Sequence, residues 1–424
     1  MNSVLLISIF SFFIQNIIGF LKFKKYINPI ALFSILHFFH NWSFSFSKHF
    51  NDILLWRADH SLVSYLTMHE VLAINLIGSW TFFLVVILFS KTKNYKTYFK
   101  FSNSGIMLTG YYILSLVFFI RFLINFDPTS SYGANQALTS SEAFDPIGRI
   151  IFFRIIMCVI YVLSSEISKK AIFSIVFIEI CLSLFTFDRK EIAFIAGSII
   201  LRFLVNSNIN VISALRYFFI SFGGFGLMLY IPFYRSTEYL DGFINRLNET
   251  FFLIGEYGYQ ISFYILTLAN SEGVQNWTYQ LIQSGEMPLL IGKSYLQAFI
   301  NMFVLRLFQG PTIVNWQGAY HFKTYAYPDV IDQGWDFSFT AEAIQNFGPN
   351  FAFISFALLG LLISYLYSTR KKGDLNQTLY LFTWPILSIA FRMDSTSMFR
   401  LYSYIIFVYL FFYLTKKIKT TVNN

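Results

Sequence analysis

The sequence predicts an all-α polytopic membrane protein of about eleven transmembrane helices, with one large late extracytoplasmic loop containing short amphipathic helices. Three observations predict it. Of the 424 residues, 56% are hydrophobic and only 12% are charged, against about 25% charged in soluble domains, too few to cover a water-facing surface. Apolar runs of about sixteen or more residues recur along nearly the whole chain. Lysine clusters follow alternate runs, so every strong basic mark falls on one side. The formal charge of +9 sits mainly on these helix flanks and not on a basic stripe, which argues against a nucleic-acid partner.

Val4 to Leu21 is the first span, with no cleavage site after it, so it reads as a retained helix and not a signal peptide. Lys22, Lys24 and Lys25 put its end in the cytoplasm and the N-terminus outside. Ile27 to Trp42 returns outward, and Glu70 to Ser90 comes back in to Lys91, Lys93, Lys96 and Lys100. Gly105 to Asn125 goes out to a loop with Asp127-Pro128 and Asp145-Pro146 turn signals. Arg149 to Ser165 returns to Lys169-Lys170, Ala171 to Phe187 rises to the tight turn Asp188-Arg-Lys-Glu191, and Ile192 to Val205 descends. Ala214 to Pro232 goes out again, Phe351 to Ser368 descends to Arg370-Lys-Lys372, Gln377 to Phe391 rises, and Arg400 to Thr415 ends at Lys416, Lys417 and Lys419 in the cytoplasm.

Three regions follow: N-terminal membrane helices over 1–232, the extracytoplasmic loop over 233–346, and C-terminal membrane helices over 347–424. Inside the loop, Thr250 to Ala269 and Leu289 to Phe308 are apolar enough to span. The link between them, Asn270 to Pro288, carries Glu272 and Glu286 and no Lys or Arg, so it does not read as cytoplasmic. Both pieces are therefore expected to lie on the outer face as amphipathic or re-entrant helices.

The usual soluble catalytic signals are missing: no phosphate-cradling glycine loop, no Gly-x-Ser-x-Gly elbow and no Asp-x-Asp pair. His37 and His40 share a helix face but lack a third ligand, so neither a metal nor a cofactor is expected. What remains is a set of arginines toward the outer side, against the topogenic bias: Arg121 and Arg154 within helices, Arg189 on a tight turn, Arg235 and Arg306 in the long loop, and Arg392 and Arg400 around the last external turn. Snorkelling to lipid headgroups accounts for such residues singly. As a set they suit diphosphate, because guanidinium stays charged and can bind two phosphate oxygens at once. Glu342 lies on the helical run Ser338 to Asn346; it could act as general base toward a sugar hydroxyl or tie an arginine in an ion pair. Trp335, Trp316, Tyr320, His321 and Tyr327 offer flat faces for sugar rings or an interfacial aromatic belt. Gly348-Pro349 marks the step from this polar run into the next membrane helix.

The architecture, the turn Phe-Asp-Arg-Lys-Glu191 and above all Ser338-x-Thr-Ala-Glu-Ala-x-x-Asn-Phe-Gly348 resemble the O-antigen (oligosaccharide repeat-unit) polymerases of bacterial membranes, the Wzy class. One departure is that Arg246 to Gly258 and Arg306 to Gly318 are each one residue longer than the outer-loop Arg-to-Gly spacing of some members. The resemblance implies metal-independent glycosyl transfer on the outer face of the cytoplasmic membrane, from a polyprenyl-diphosphate glycan to a repeat unit on the same lipid. It implies a chain-length regulator and a flippase as further partners. Under it, Glu342, Arg189 and Arg392 are the expected catalytic residues, and Arg400, Arg235, Arg306, Arg154, His321 and Trp335 the expected substrate contacts. The competing expectations are an O-antigen ligase, which shares the lipid donor, and a lipid-linked oligosaccharide flippase or other transporter.

Overall fold

A computed structural model describes residues 3–25, 27–42, 68–91, 104–125, 146–163, 168–186, 190–206, 243–267, 270–303, 316–326, 337–390 and 395–422. Every regular element among them is helical. In chain order these are α1 (Ser3–Phe23), α2 (Pro29–Asn41), α3 (Met68–Phe89), α4 (Ser104–Asn125), α5 (Pro146–Leu163), α6 (Lys169–Thr186), α7 (Lys190–Asn206) and α8 (Phe243–Thr267). They continue as α9 (Asn270–Gln283), α10 (Lys293–Phe303), α11 (Gly318–Ala326), α12 (Phe339–Phe347), α13 (Phe353–Thr369), α14 (Asp374–Ala390) and α15 (Ser395–Val422). The expected span Ala214 to Pro232 and the end of Leu289 to Phe308 lie outside the described residues.

Among the described residues, four helices are long and apolar enough to cross a membrane: Ser3–Phe23, His69–Phe89, Gly105–Ile124 and Pro349–Thr369. A 21-residue helix such as α1 is about 30 Å long, the thickness of a bilayer's hydrocarbon. Its faces are the reverse of a soluble helix. Ser8, Ser11, Gln15 and Gly19 are buried, while Phe10, Phe13, Ile17 and Leu21 are exposed. That arrangement is favourable only if the surroundings are apolar, since small and polar residues then mediate helix contact and large ones face lipid. The chain is a membrane protein.

By contact, the chain divides into two units. The first comprises residues 1–96, 266–372 and 386–403. Here α3 and α13 pack along their lengths through interlocking small and large residues. A Cβ on Gly78 would lie 2.5 Å from the Phe356 ring, and one on Gly360 would lie 3.0 Å from Val85. Lys91 N donates to Ser368 Oγ at 2.9 Å, so the pairings 78 to 356 and 91 to 368 show the two helices running parallel. Helix α1 joins them through Trp80 Nε1 to Ser11 Oγ (3.0 Å) and Gln15 Nε2 to Ser79 Oγ (3.3 Å). Asn28 begins α2 by accepting from Ile30 N and Ala31 N ahead of Pro29, and α2 then returns antiparallel, with Phe12 against Phe38 and Leu5 against Trp42.

This order sorts the ends of the unit. Phe23 meets Tyr367 at 5.0 Å between ring centroids, at the end that carries Lys22, Lys24, Lys25, Lys91 and Arg370 to Lys372. At the opposite end, where Leu5, Trp42 and Leu72 cluster, sit α9 and α12. Helix α9 occupies what the sequence reads as a link. It has no apolar run to announce it, because its buried face carries Gln275, Asn276 and Thr278 beside Val274 and Leu281.

The second unit comprises residues 97–265, 373–385 and 404–424. Helices α4 and α5 are its tightest pair, with Gly110 set against Met157 Sδ. Helix α7 packs on α5 and α6. Pro385, inside α14, lies where a Cβ on Gly197 would meet it at 3.4 Å, and Thr378 and Tyr409 share a hydrogen bond of 2.9 Å.

Candidate functional site

Helix α12 is the organising element of the site. Ser338 caps it by accepting from Ala341 N at 3.1 Å. Gly348 ends it at φ 73° and ψ 169°, a conformation essentially restricted to glycine, and its N–H reaches Ile344 O at 2.8 Å. Pro349 then opens a short 3-10 turn that leads into α13, as the Gly-Pro step suggests. Every residue from Phe339 to Asn346 is buried, among them Thr340, Glu342, Gln345 and Asn346. Four polar side chains on one nine-residue helix need partners, because a buried polar group left unmade costs about 1–3 kcal/mol.

Glu342 finds its partners on two other helices. Its Oε1 accepts from Ser294 Oγ at 2.5 Å and from Ser395 Oγ at 2.7 Å, and its Oε2 accepts from Ser395 N at 2.6 Å. Ser395 is the first residue of α15, so the carboxylate sits on the N-terminal end of a 28-residue helix, where negative charge is favoured. Asn346 Nδ2 donates to Ser294 Oγ (2.7 Å) and to Glu342 O (2.8 Å), which fixes the serine between amide and carboxylate. Leu290 N donates to Gln345 O at 2.8 Å and holds the 287–293 turn onto the same helix.

Thr340, on another face of α12, donates to Asn75 Oδ1 at 2.9 Å. Asn75 Nδ2 in turn donates to Gln275 Oε1 (2.8 Å), and Gln275 Nε2 to Asn41 Oδ1 (2.6 Å). The chain of amides ties α2, α3 and α9 to α12. Polar bonds of this kind between membrane helices are worth only about 0.6 kcal/mol each, so they set register more than they hold the helices together.

A third side is apolar. Val274, Leu281, Met287, Phe322, Phe337 and Ala341 form one buried cluster under α9, α11 and α12. Gly318, which opens α11, is pressed against the site: a Cβ there would stand 3.2 Å from Glu342 Cγ, 3.2 Å from Gln345 Oε1 and 3.0 Å from the Phe337 ring. His321, one turn further on, is half-buried, with Nε2 3.1 Å from Pro288 O. Burial holds its pKa below 6.5 and the nearby Lys293 charge adds to that, while the Pro288 carbonyl opposes it. Lys293 Nζ lies 5.9 Å from the Trp316 ring centroid, on the exposed side.

Of the expected site residues, Glu342 and His321 thus belong to one assembly, separated by Gly318. Arg400 is half-buried on α15, five positions after the Ser395 that Glu342 caps. Arg154 is elsewhere: it lies buried in the second unit, ion-paired with Glu179 of α6 and with its guanidinium 4.8 Å from the Phe118 ring centroid. Tyr111 Oη donates to the same Glu179 oxygen at 2.8 Å. Arg189, Arg235, Arg306, Arg392 and Trp335 fall outside the described residues. Sequence reasoning missed Ser294, Ser395, Asn75 and Gln275, and met Gly318 only as the end of the Arg306-to-Gly318 spacing. The only signal for them was the amide-rich run of α9 and the isolated Asn41 and Asn75 near the ends of apolar helices.

Chemically, the arrangement is a buried carboxylate whose bonds run to exchangeable hydroxyls and to a helix N-terminus. No family model, no curated protein and no solved structure matches the chain.

Proposed function

We propose that the chain polymerises lipid-linked oligosaccharide repeat units by glycosyl transfer at the outer face of a bacterial cytoplasmic membrane. The donor is a glycan on polyprenyl diphosphate and the acceptor a single repeat unit on the same lipid. The observation that carries the reading is that the run resembling the polymerase family, Ser338 to Gly348, forms a capped helix buried from Phe339 to Asn346 with Glu342 near its centre, at the end of its unit opposite the lysines. With those lysines cytoplasmic, α12 is extracytoplasmic, the N-terminus is outside and the C-terminus inside, and about eleven spans complete the chain.

In the reaction the acceptor hydroxyl attacks the anomeric carbon of the donor glycan, the bond from that carbon to the diphosphate oxygen breaks, and the diphosphate leaves with the electron pair. Arg189, Arg392 and Arg400 hold the leaving group, since fixed guanidinium charge acts where negative charge develops. Arg235, Arg306, His321 and Trp335 line the glycan path. Arg154, engaged with Glu179, belongs to the scaffold. Three donors already address Glu342. A proton therefore reaches it where an acceptor hydroxyl displaces, or passes its proton through, the hydroxyl of Ser294 or Ser395.

The test is a strain lacking the gene, complemented with wild type, Glu342→Gln or Arg189→Ala at matched membrane levels. The expected outcome is a single repeat unit on the final acceptor in the deletion strain and in both variants, and a full ladder with wild type. Full-length polymer from both variants would sink the residue roles. A deletion strain with no repeat unit attached at all would make the protein a ligase.

A further inference from the structure

Helix α10 has its faces reversed. Ser294, Gln297, Ala298 and Asn301 are buried, at the spacing of one helical stripe, whereas Leu296 (52%), Phe299 (53%) and Ile300 (43%) are exposed. Water would favour the opposite rotation, amides out and the apolar stripe in. The rotation is nonetheless fixed on both sides: Ser294 donates to Glu342 and accepts from Asn346, and Tyr295 Oη donates to Ser355 Oγ at 2.7 Å. The turn ahead of the helix continues the theme. Ile291 is 77% exposed and held at φ 51°, a left-handed conformation costly for a β-branched residue.

We propose that residues 289–300 are a membrane-inserted element, with Ile291, Leu296, Phe299 and Ile300 lying in the acyl-chain region of the bilayer while the opposite face of α10 holds Ser294 on Glu342. Three observations choose lipid as the occupant. The Tyr295–Ser355 bond sets α10 beside the first turn of α13, a spanning helix on which Leu358 is exposed, as is Phe351 in the turn that leads into it, so both neighbours turn apolar side chains outward. Lys293 stands at the start of α10, where a cation meets headgroup phosphate. Trp316, 45% exposed beside that lysine, is of the residue type that favours the headgroup level. It follows that a single helix separates the Glu342 carboxylate from lipid.

Two measurements on the full chain test this. In wild-type protein reconstituted into phosphatidylcholine–phosphatidylglycerol vesicles, a lipid carrying a diazirine on its acyl chain is photolysed and the adducts are mapped by peptide mass. Adducts on residues 289–300 as well as on α13 are expected; adducts on α13 with none on 289–300 overturn the proposal. In a Cys158→Ala/Cys181→Ala background, Leu296→Cys, Ile300→Cys and Glu286→Cys are labelled with a fluorophore. Acyl-chain nitroxides should quench positions 296 and 300 severalfold more than aqueous iodide does, with the reverse at 286. Iodide quenching at 296 and 300 equal to that at 286 overturns it, as does protection from both quenchers, which would put a second copy or another part of the protein on that face.

Discussion

Glu342 and Glu179 are both buried glutamates in an apolar chain, and they are held in different ways. Glu179 lies midway along α6, met by the Arg154 guanidinium and the Tyr111 phenol from long apolar helices of the same unit. Glu342 lies on a short polar helix and is met by two serine hydroxyls and the first N–H of α15. The first arrangement matches charge with charge in surroundings where an unmatched charge is expensive. The donors described at the second are two hydroxyls and a backbone N–H. Charge pairing suits a fixed joint between helices; hydroxyls suit the exchange that the proposed glycosyl transfer requires.

The largest expected effect breaks the fixed joint. Arg154→Leu should cost about 3–5 kcal/mol by stranding Glu179, read as a loss of folded protein in detergent and of thermal stability. Arg154→Leu/Glu179→Leu together should cost much less than the single change; an equal loss would mean that the pair is not what matters there. Next comes Gly318→Ala. Its Cβ falls within 3.2 Å of Glu342 Cγ, and overpacking of this kind costs about 1–3 kcal/mol, read as a drop in melting temperature; under the proposed function the polymer is shortened as well. Gly105→Ala in the other unit, with nothing within 4 Å, should be neutral or stabilising, and the difference between the two melting temperatures measures how closely the site is packed.

Glu342→Gln keeps the shape but turns one acceptor into a donor against donors, a loss of about 1–3 kcal/mol in thermal unfolding, with activity falling further than stability. The smallest effect concerns His321. Its folded pKa is depressed below 6.5, so the unfolded chain binds the proton first. The stability contributed by the neutral ring is complete above that value and is lost as pH falls below it. His321→Gln should flatten that slope in melting temperature against pH between 7 and the low end of the folded range, and an unchanged slope would remove His321 from the list of contributors.

Helices such as α3 and α4 were legible because hydropathy marks their length and lysines one end: Glu70 to Ser90 is found as Met68–Phe89, and Gly105 to Asn125 as Ser104–Asn125. The helical run at Ser338 was legible too, with its Gly-Pro exit. Helix α9 was not, since a helix that buries Gln275 and Asn276 shows none of the apolar periodicity by which buried helices are usually found. Nor was the partner of Arg154, because the pairing of α5 with α6 through residues 25 positions apart depends on how the helices cross. The carboxylate was visible as Glu342; Ser294 and Ser395 were not, being ordinary residues made significant only by convergence.

The parallel clasp of α3 and α13 carries a consequence for how the protein is made. Its closing bond, Lys91 to Ser368, joins residues 277 positions apart. During synthesis α3 therefore enters the bilayer with the notch at Gly78 open, and Phe356 arrives only after most of the chain has followed. Asn75 likewise has no partner in place until Gln275 and then Thr340 have followed. The early helices wait, notched and amide-bearing, in lipid, and what they wait for is the same segment that brings Glu342. A nascent chain stopped before α13 is thus poorly settled in the membrane, and it also lacks Ser395, which holds both oxygens of Glu342.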